Sequence, residues 1–237
     1  MKKHLPNLLT CCNILFGSIS VVLALRGDLK NAAILIICAA VCDFFDGFAA
    51  RKLGSKSVIG ADLDSLADIV SFGLAPAAIL FVWMEFCFSN LPPELVFFPL
   101  TLLPYFAFII VPFSAYRLAK FNNDERQEHE FLGLPTPANA FFVAFLPFAA
   151  DYLHFLDNFW AILSLTALFP LLLLVEIPMF SMKFSNYRFK TNWIRYLFLL
   201  LSTCLFIAFH LAAFPIIILL YILISLIQFG LTKVLQQ

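Results

Sequence analysis

The chain has 237 residues, of which 62% are hydrophobic and 13% charged, and its formal net charge is zero from 15 Lys+Arg and 15 Asp+Glu. A soluble domain carries about 25% charged and about 45–50% apolar residues, and a chain of this size cannot hide such an apolar excess in one core. A soluble enzyme, a disordered chain and a nucleic-acid binder are excluded, which leaves a polytopic membrane protein.

A helix needs about 20 mostly apolar residues to cross a ~30 Å hydrocarbon layer. In chain order, the expected spans are Leu8–Leu25, Asn31–Ala50, Ile69–Met84, Leu95–Tyr116, Phe131–Ala150 and Asn158–Val175. A last uncharged run, Tyr196–Thr232, has 37 residues. As one helix it would measure about 55 Å, so it is read as two spans broken near His210–Pro215. The expectation is about eight transmembrane helices in an all-α integral membrane protein. The basic residues set the topology. With the N-terminus inside, Lys2, Lys3, Arg51, Lys52, Lys56, Arg117, Lys120, Arg126, Lys183, Arg188, Lys190, Arg195 and Lys233 fall on the cytoplasmic side, and only Arg26 and Lys30 fall outside. Thirteen against two is the asymmetry of the positive-inside rule, so both termini are expected inside. The six cysteines lie in or beside apolar spans and are read as small buried residues.

Ionisable groups within spans are costly and mark function. Asp43 and Asp46 are three apart, and Asp64 and Asp68 four apart. Each spacing puts its pair on one helical face. Between the pairs lies a basic, small-residue connection containing Gly47, Ala50, Arg51, Gly54, Ser57 and Gly60. Helix, short loop, helix is expected, with the two carboxylate pairs facing each other near the cytoplasmic edge. Such a cluster needs positive charge. Oxygen-only ligands select Mg²⁺ or Mn²⁺ over zinc, commonly together with substrate phosphates. Gly47 and Ala50 would let a bulky ligand approach the backbone, and Arg51 would fork onto phosphate oxygens. Metal-assisted phosphoryl chemistry at a membrane surface is the expectation. The alternatives are an ion-pair network that only holds helices together, and an ion-binding transporter or scaffold.

Asp43-x-x-Asp46-Gly47-x-x-Ala50-Arg51, followed after eight residues by Gly60-x-x-x-Asp64-x-x-x-Asp68, resembles the signature of the CDP-alcohol phosphatidyltransferase family at every fixed position. The resemblance implies a membrane enzyme with a six-helix core, usually a homodimer, that transfers a phosphatidyl-like group from a CDP-linked donor to an alcohol and releases CMP. Carried onto this chain, it implies Asp43, Asp46, Asp64 and Asp68 as ligands of Mg²⁺ or Mn²⁺, and Asp68 also as general base. It implies nucleotide and diphosphate contacts at Gly47, Ala50, Arg51 and Ser57, with Arg51 adding charge during catalysis. The core would cover residues 1–182 and two extra helices residues 183–237.

Further segments resemble the bacterial and archaeal phosphatidylserine synthase branch of that family. They are Pro6-Asn7-Leu8-Leu9-Thr10 with Asn13 and Gly17, Ser71-Phe72-Gly73-Leu74-Ala75-Pro76, Arg117-Leu118-Ala119-Lys120-Phe121-Asn122, and Phe131-Leu132-Gly133-Leu134-Pro135-Thr136-Pro137-Ala138. The implied substrates are CDP-diacylglycerol and L-serine, in the cytoplasmic membrane with the site facing the cytoplasm. Asn7 and Thr10 join the substrate-binding candidates, with Arg117, Lys120 and Asn122 for the acceptor. Within the family, glycerol 3-phosphate and inositol phosphate remain alternative acceptors. For Arg117 and Lys120 the alternative is membrane anchoring. Glu176 is read as a snorkelling residue or a partner of Lys183.

Overall fold

A computed structural model describes residues 4–54, 57–96, 98–124, 131–180 and 188–235. Lys2, Lys3, Lys56, Arg126 and Lys183 lie outside these residues, as do the side chains of Lys190 and Lys233. The described chain is almost wholly helical. Its α-helices are α1 (Leu5–Leu25), α2 (Leu29–Lys52), α3 (Val58–Asp68), α4 (Ala75–Ser89), α5 (Ile110–Asn123), α6 (Thr136–Ala149), α7 (Phe159–Leu168), α8 (Leu171–Leu174), α9 (Phe189–Phe209) and α10 (Ala213–Leu235). A π-helical segment, Ile69–Leu74, joins α3 to α4, and a 3₁₀ helix, Leu100–Ile109, leads into α5. Five stretches are long and apolar enough to cross a bilayer: Leu5–Leu25, Leu29–Lys52, Ile59–Ser89, Leu100–Asn123 and Asn192–Phe229. Two shorter apolar helices accompany them. The protein is an all-α, multi-pass membrane protein.

Several boundaries differ from expectation, each for a local reason. The third span is expected from Ile69, but the helix runs over the 31 residues Ile59–Ser89. That length is about 46 Å, so the Asp64–Asp68 turn belongs to an extension beyond a single bilayer crossing. The π turn lies where the ring of Pro76 would press on the carbonyl of Phe72 in a regular α-helix. Pro170 separates α7 from α8 where one span is expected. The last run is broken at His210, whose φ is +49°, and Pro215 occupies the first turn of α10, where no N–H is missed. A two-stranded antiparallel bridge, β1 (Phe131–Leu132) with β2 (Pro178–Met179), has no counterpart in the sequence reading. Gly133 follows it at φ +80°, and a Cβ there would meet the carbonyl oxygen of Val175 at 2.6 Å. Only glycine fits this turn.

The first helix buries its small residues and turns its large ones outward, as lipid-embedded helices do when backbones must approach closely. The buried face of α1 is Pro6, Thr10, Asn13, Gly17, Ser20 and Ala24, while Leu8, Leu15, Ile19 and Val22 are exposed. Ala24, Ala32, Ala33, Ala39, Ala75, Ala78, Ala140 and Ala144 meet around Phe72, Ile79 and Phe145. Phe214 of α10 closes this core by stacking on Phe141 at 5.3 Å. The cysteines depart from expectation: only Cys87 is buried, and Cys11 and Cys204 are exposed.

Candidate active site

The site grows where α2 and α3, joined by a short connection, both pack against α1. Ser57 caps α3 by accepting a hydrogen bond from the Gly60 amide at 3.0 Å, which satisfies one of the open donors of the first turn. On α2, Asp43 and Asp46 project from one face beside Gly47, and Asp64 and Asp68 project from α3.

Carboxylate oxygens of Asp43, Asp64 and Asp68 all lie within 4.8 Å of one another. Asp46 is not part of this triangle. It is buried and accepts a 2.7 Å hydrogen bond from Thr10 Oγ1. Asp68 is buried and accepts a long one, 3.4 Å, from Asn13 Nδ2. Asp64 Oδ1 is buried with no partner. Among the described residues no Lys or Arg forms an ion pair with any of the four. Like charges this close need a cation, and an all-oxygen triangle with one oxygen left unpaired fits a hard divalent ion. Asp62 is exposed and outside the group, as its two-residue offset from Asp64 predicts.

Next to the triangle opens a cavity of about 300 Å³ lined by Pro6, Asn7, Thr10, Asp46, Gly47, Ala50, Arg51, Ser57, Gly60, Ala61 and Asp64. Every donor-side candidate from the sequence is in this wall. The Arg51 guanidinium lies across Gly47, with Nη1 3.4 Å from where a Cβ would stand. Asn7 Oδ1 comes within 3.3 Å of the same position at Gly60. With the positive end of the α3 dipole also opening here, the wall suits phosphate oxygens.

The acceptor candidates are elsewhere, on α5. Arg117 is buried, with its guanidinium over the Phe121 ring. Lys120 Nζ pairs with Glu176 Oε1 at 2.6 Å. Lys183, the partner considered for Glu176 from the sequence, lies outside the described residues. Asn122 Nδ2 donates to Ser65 Oγ at 2.7 Å. None of the three lines the cavity. The sequence reading missed Asn13 as a site residue, and also Ser71, whose hydroxyl donates to the Asn13 carbonyl at 2.9 Å. The four-three rhythm of polar and small residues on α1 was the available signal.

The family model described as CDP-alcohol phosphatidyltransferase matches residues 3–172. The chain belongs to the CDP-alcohol phosphatidyltransferase family. Members of this family depend on a divalent metal, and the triangle supplies this chain with an acidic site for one. The chain is 28% identical over 206 residues to the CDP-diacylglycerol–serine O-phosphatidyltransferase of Helicobacter pylori, covering 86% of this chain and 81% of that one. It is 34% identical over 189 residues to the enzyme of that name from Mycobacterium leprae, covering 75% of this chain and 58% of the other. It is also 34% identical over 139 residues to the archaetidylserine synthase of Methanothermobacter thermautotrophicus, covering 57% and 54%.

Proposed function

We propose that this phosphatidyltransferase is a CDP-diacylglycerol–serine O-phosphatidyltransferase, which joins the phosphatidyl group to the serine hydroxyl and releases CMP. The observation that carries the reading is the cavity built by the family signature, phosphate-suited on its Arg51 wall and bordered by the carboxylate triangle. The names of the relatives supply the acceptor. Eight spans with both termini inside, by the positive-inside asymmetry, put this cavity on the cytoplasmic face of the cell membrane. Residues 1–182 form the catalytic core and 183–237 an addition, in keeping with a family match that stops at residue 172. A homodimer follows the habit of the family.

Asp43, Asp64 and Asp68 would hold Mg²⁺ or Mn²⁺, with Asp46, the fourth carboxylate of the signature, beside them on the cavity wall in its bond to Thr10. The ion would supply Lewis-acid polarisation of the diphosphate and positive charge for the leaving CMP. The acyl chains of the donor stay in the bilayer, and its cytidine diphosphate occupies the cavity against Asn7, Thr10, Gly47, Ala50 and Ser57. Arg51 adds its charge to the diphosphate oxygens. Asp68 takes the proton of the serine hydroxyl. The hydroxyl oxygen bonds to the phosphorus nearer diacylglycerol as the bond from that phosphorus to the CMP oxygen breaks. Lys120 and Asn122 border the acceptor side of the site.

The test is CMP release by the purified protein with CDP-diacylglycerol, Mg²⁺ or Mn²⁺, and a panel of alcohols. Release that depends on L-serine, with phosphatidylserine as product, is expected. Faster turnover with glycerol 3-phosphate or inositol phosphate would reassign the acceptor, and no release with any alcohol would sink the transferase reading.

A further inference from the structure

The family match ends at residue 172. The strap that follows, residues 175–180, is bonded on two sides. On one side Phe131–Leu132 pairs with Pro178–Met179, the Gly133 amide donates to the Ile177 carbonyl at 2.9 Å, and Glu176 meets Lys120 of α5. On the other side α10 takes up both backbone groups of Phe180. Tyr221 Oη donates to its carbonyl at 3.0 Å, and its amide donates to Ser225 Oγ at 3.4 Å. Ser225 Oγ in turn donates to the Tyr221 carbonyl at 2.8 Å.

These bonds are buried. Ser225 is 1% exposed, and Phe180 and Tyr221 are 8% each. The ring of Phe180 also meets those of Tyr221 and of Phe198 on α9, at 4.8 and 5.5 Å between centroids. A lipid-embedded helix satisfies its own backbone internally, so α10 does not need the Tyr221 hydroxyl for itself. Tyr221 and Ser225 stand one turn apart on one face, and together they fix the end of the strap.

From the strap the contacts lead to the carboxylates. α5 packs against α8, just before the strap, and against the π segment that follows Asp68. Near its end, Asn122 Nδ2 donates to Ser65 Oγ of α3 at 2.7 Å, and Ser65 Oγ donates to the Ala61 carbonyl at 3.2 Å. Ser65 is the chain neighbour of Asp64. Asp64 Oδ1 has no protein partner, so its place depends on where α3 itself is held. Resting on the reading of the carboxylate triangle as a divalent-metal site, we infer that Tyr221 and Ser225 are positioning residues for that site. By fixing Phe180 they hold the strap, and through it α5, against α3. The helices beyond the family match thereby brace the metal-binding helix of the core.

The test reads metal binding apart from turnover. Mn²⁺ is titrated against the unfolding temperature of the substrate-free protein for the wild type, Tyr221→Phe, Ser225→Ala, Ser65→Ala and the double variant of Tyr221→Phe with Ser65→Ala. Tyr221→Phe keeps the ring and removes one donor, and Ser225→Ala carries the test should Tyr221→Phe fail to fold. Each single variant is expected to raise the Mn²⁺ concentration for half-maximal stabilisation about three- to tenfold. The double variant is expected to need no more Mn²⁺ than the weaker-binding single one, because both bonds belong to one brace. A merely structural role would lower the metal-free unfolding temperature and leave this midpoint at the wild-type value. Wild-type midpoints in the folded α10 variants, or effects of Tyr221→Phe and Ser65→Ala that multiply in the double variant, would overturn the brace alone. A wild-type unfolding temperature indifferent to Mn²⁺ would overturn the metal site and the brace with it.

Discussion

Thr10 Oγ1 donates to Asp46 Oδ2 at 2.7 Å, joining α1 to α2 inside the cavity wall. The same hydroxyl lies 3.1 Å from the carbonyl of Pro6. Its single proton is therefore shared, and it turns toward Asp46 when that carboxylate is ionised. Thr10→Val keeps the shape and removes the donor. A hydrogen bond to a charged group contributes about 1.5–3 kcal/mol. Steady-state kinetics should show a fall in kcat/KM of roughly 10- to 100-fold, whereas Thr10→Ser should stay near the wild type.

Asp68 is buried, and among the described residues its donor is Asn13 Nδ2 at 3.4 Å. Asp68→Asn is expected to lower CMP release by about 10²–10⁴, the usual contribution of a general base, while thermal unfolding in detergent stays close to the wild type. A near-normal rate would remove Asp68 from the base role. Asn13→Ala, which deletes only a long hydrogen bond, should have a smaller effect in the same assay.

Gly17 and Gly47 separate stability from binding. A Cβ on Gly17 would stand 2.7 Å from the Ser71 Cα and 2.3 Å from its Oγ. Backbone must then move, so Gly17→Ala should destabilise by about 1–3 kcal/mol, read as a lower unfolding temperature. A Cβ on Gly47 would touch only Arg51 Nη1, at 3.4 Å. Gly47→Ala should keep its unfolding temperature and raise the KM for CDP-diacylglycerol.

Removal of divalent cations by a chelator should abolish turnover, and Mg²⁺ or Mn²⁺ should restore it. Because Asp43, Asp64 and Asp68 lie within 4.8 Å of one another, the ion also relieves their repulsion. Mn²⁺ should therefore raise the unfolding temperature of the protein without substrate. Asp64→Asn should need a higher metal concentration for half-maximal stabilisation. A wild-type unfolding temperature indifferent to Mn²⁺ would count against the site.

Lys120 and Glu176 are partly exposed, at 27% and 51% of their side chains, and pair at 2.6 Å. Such pairs contribute about 0–1 kcal/mol, so Lys120→Ala and Glu176→Gln should barely shift unfolding. If Lys120 is committed to Glu176, both variants should change the serine KM alike and by less than about threefold. A much larger rise in Lys120→Ala alone would return Lys120 to direct acceptor binding.

The donor side of this protein was legible in its residue order because its chemistry is local. Asp43 to Asp68 lie on one helical hairpin, and three- and four-residue spacings suffice to bring their carboxylates to common faces. The membrane class was equally plain, since apolar runs of span length have no other home. Helix ends were less legible. Pro76 and Pro170 act within their own helices, but Gly133 answers to the carbonyls of Leu172, Leu173 and Val175, which only the folded chain brings near it. Tertiary structure alone decided that Asp46 pairs with Thr10 outside the triangle and that Lys120 pairs with Glu176. These relations join residues 36 and 56 positions apart. No periodicity encodes them, because the packing of small residues between helices sets which faces meet.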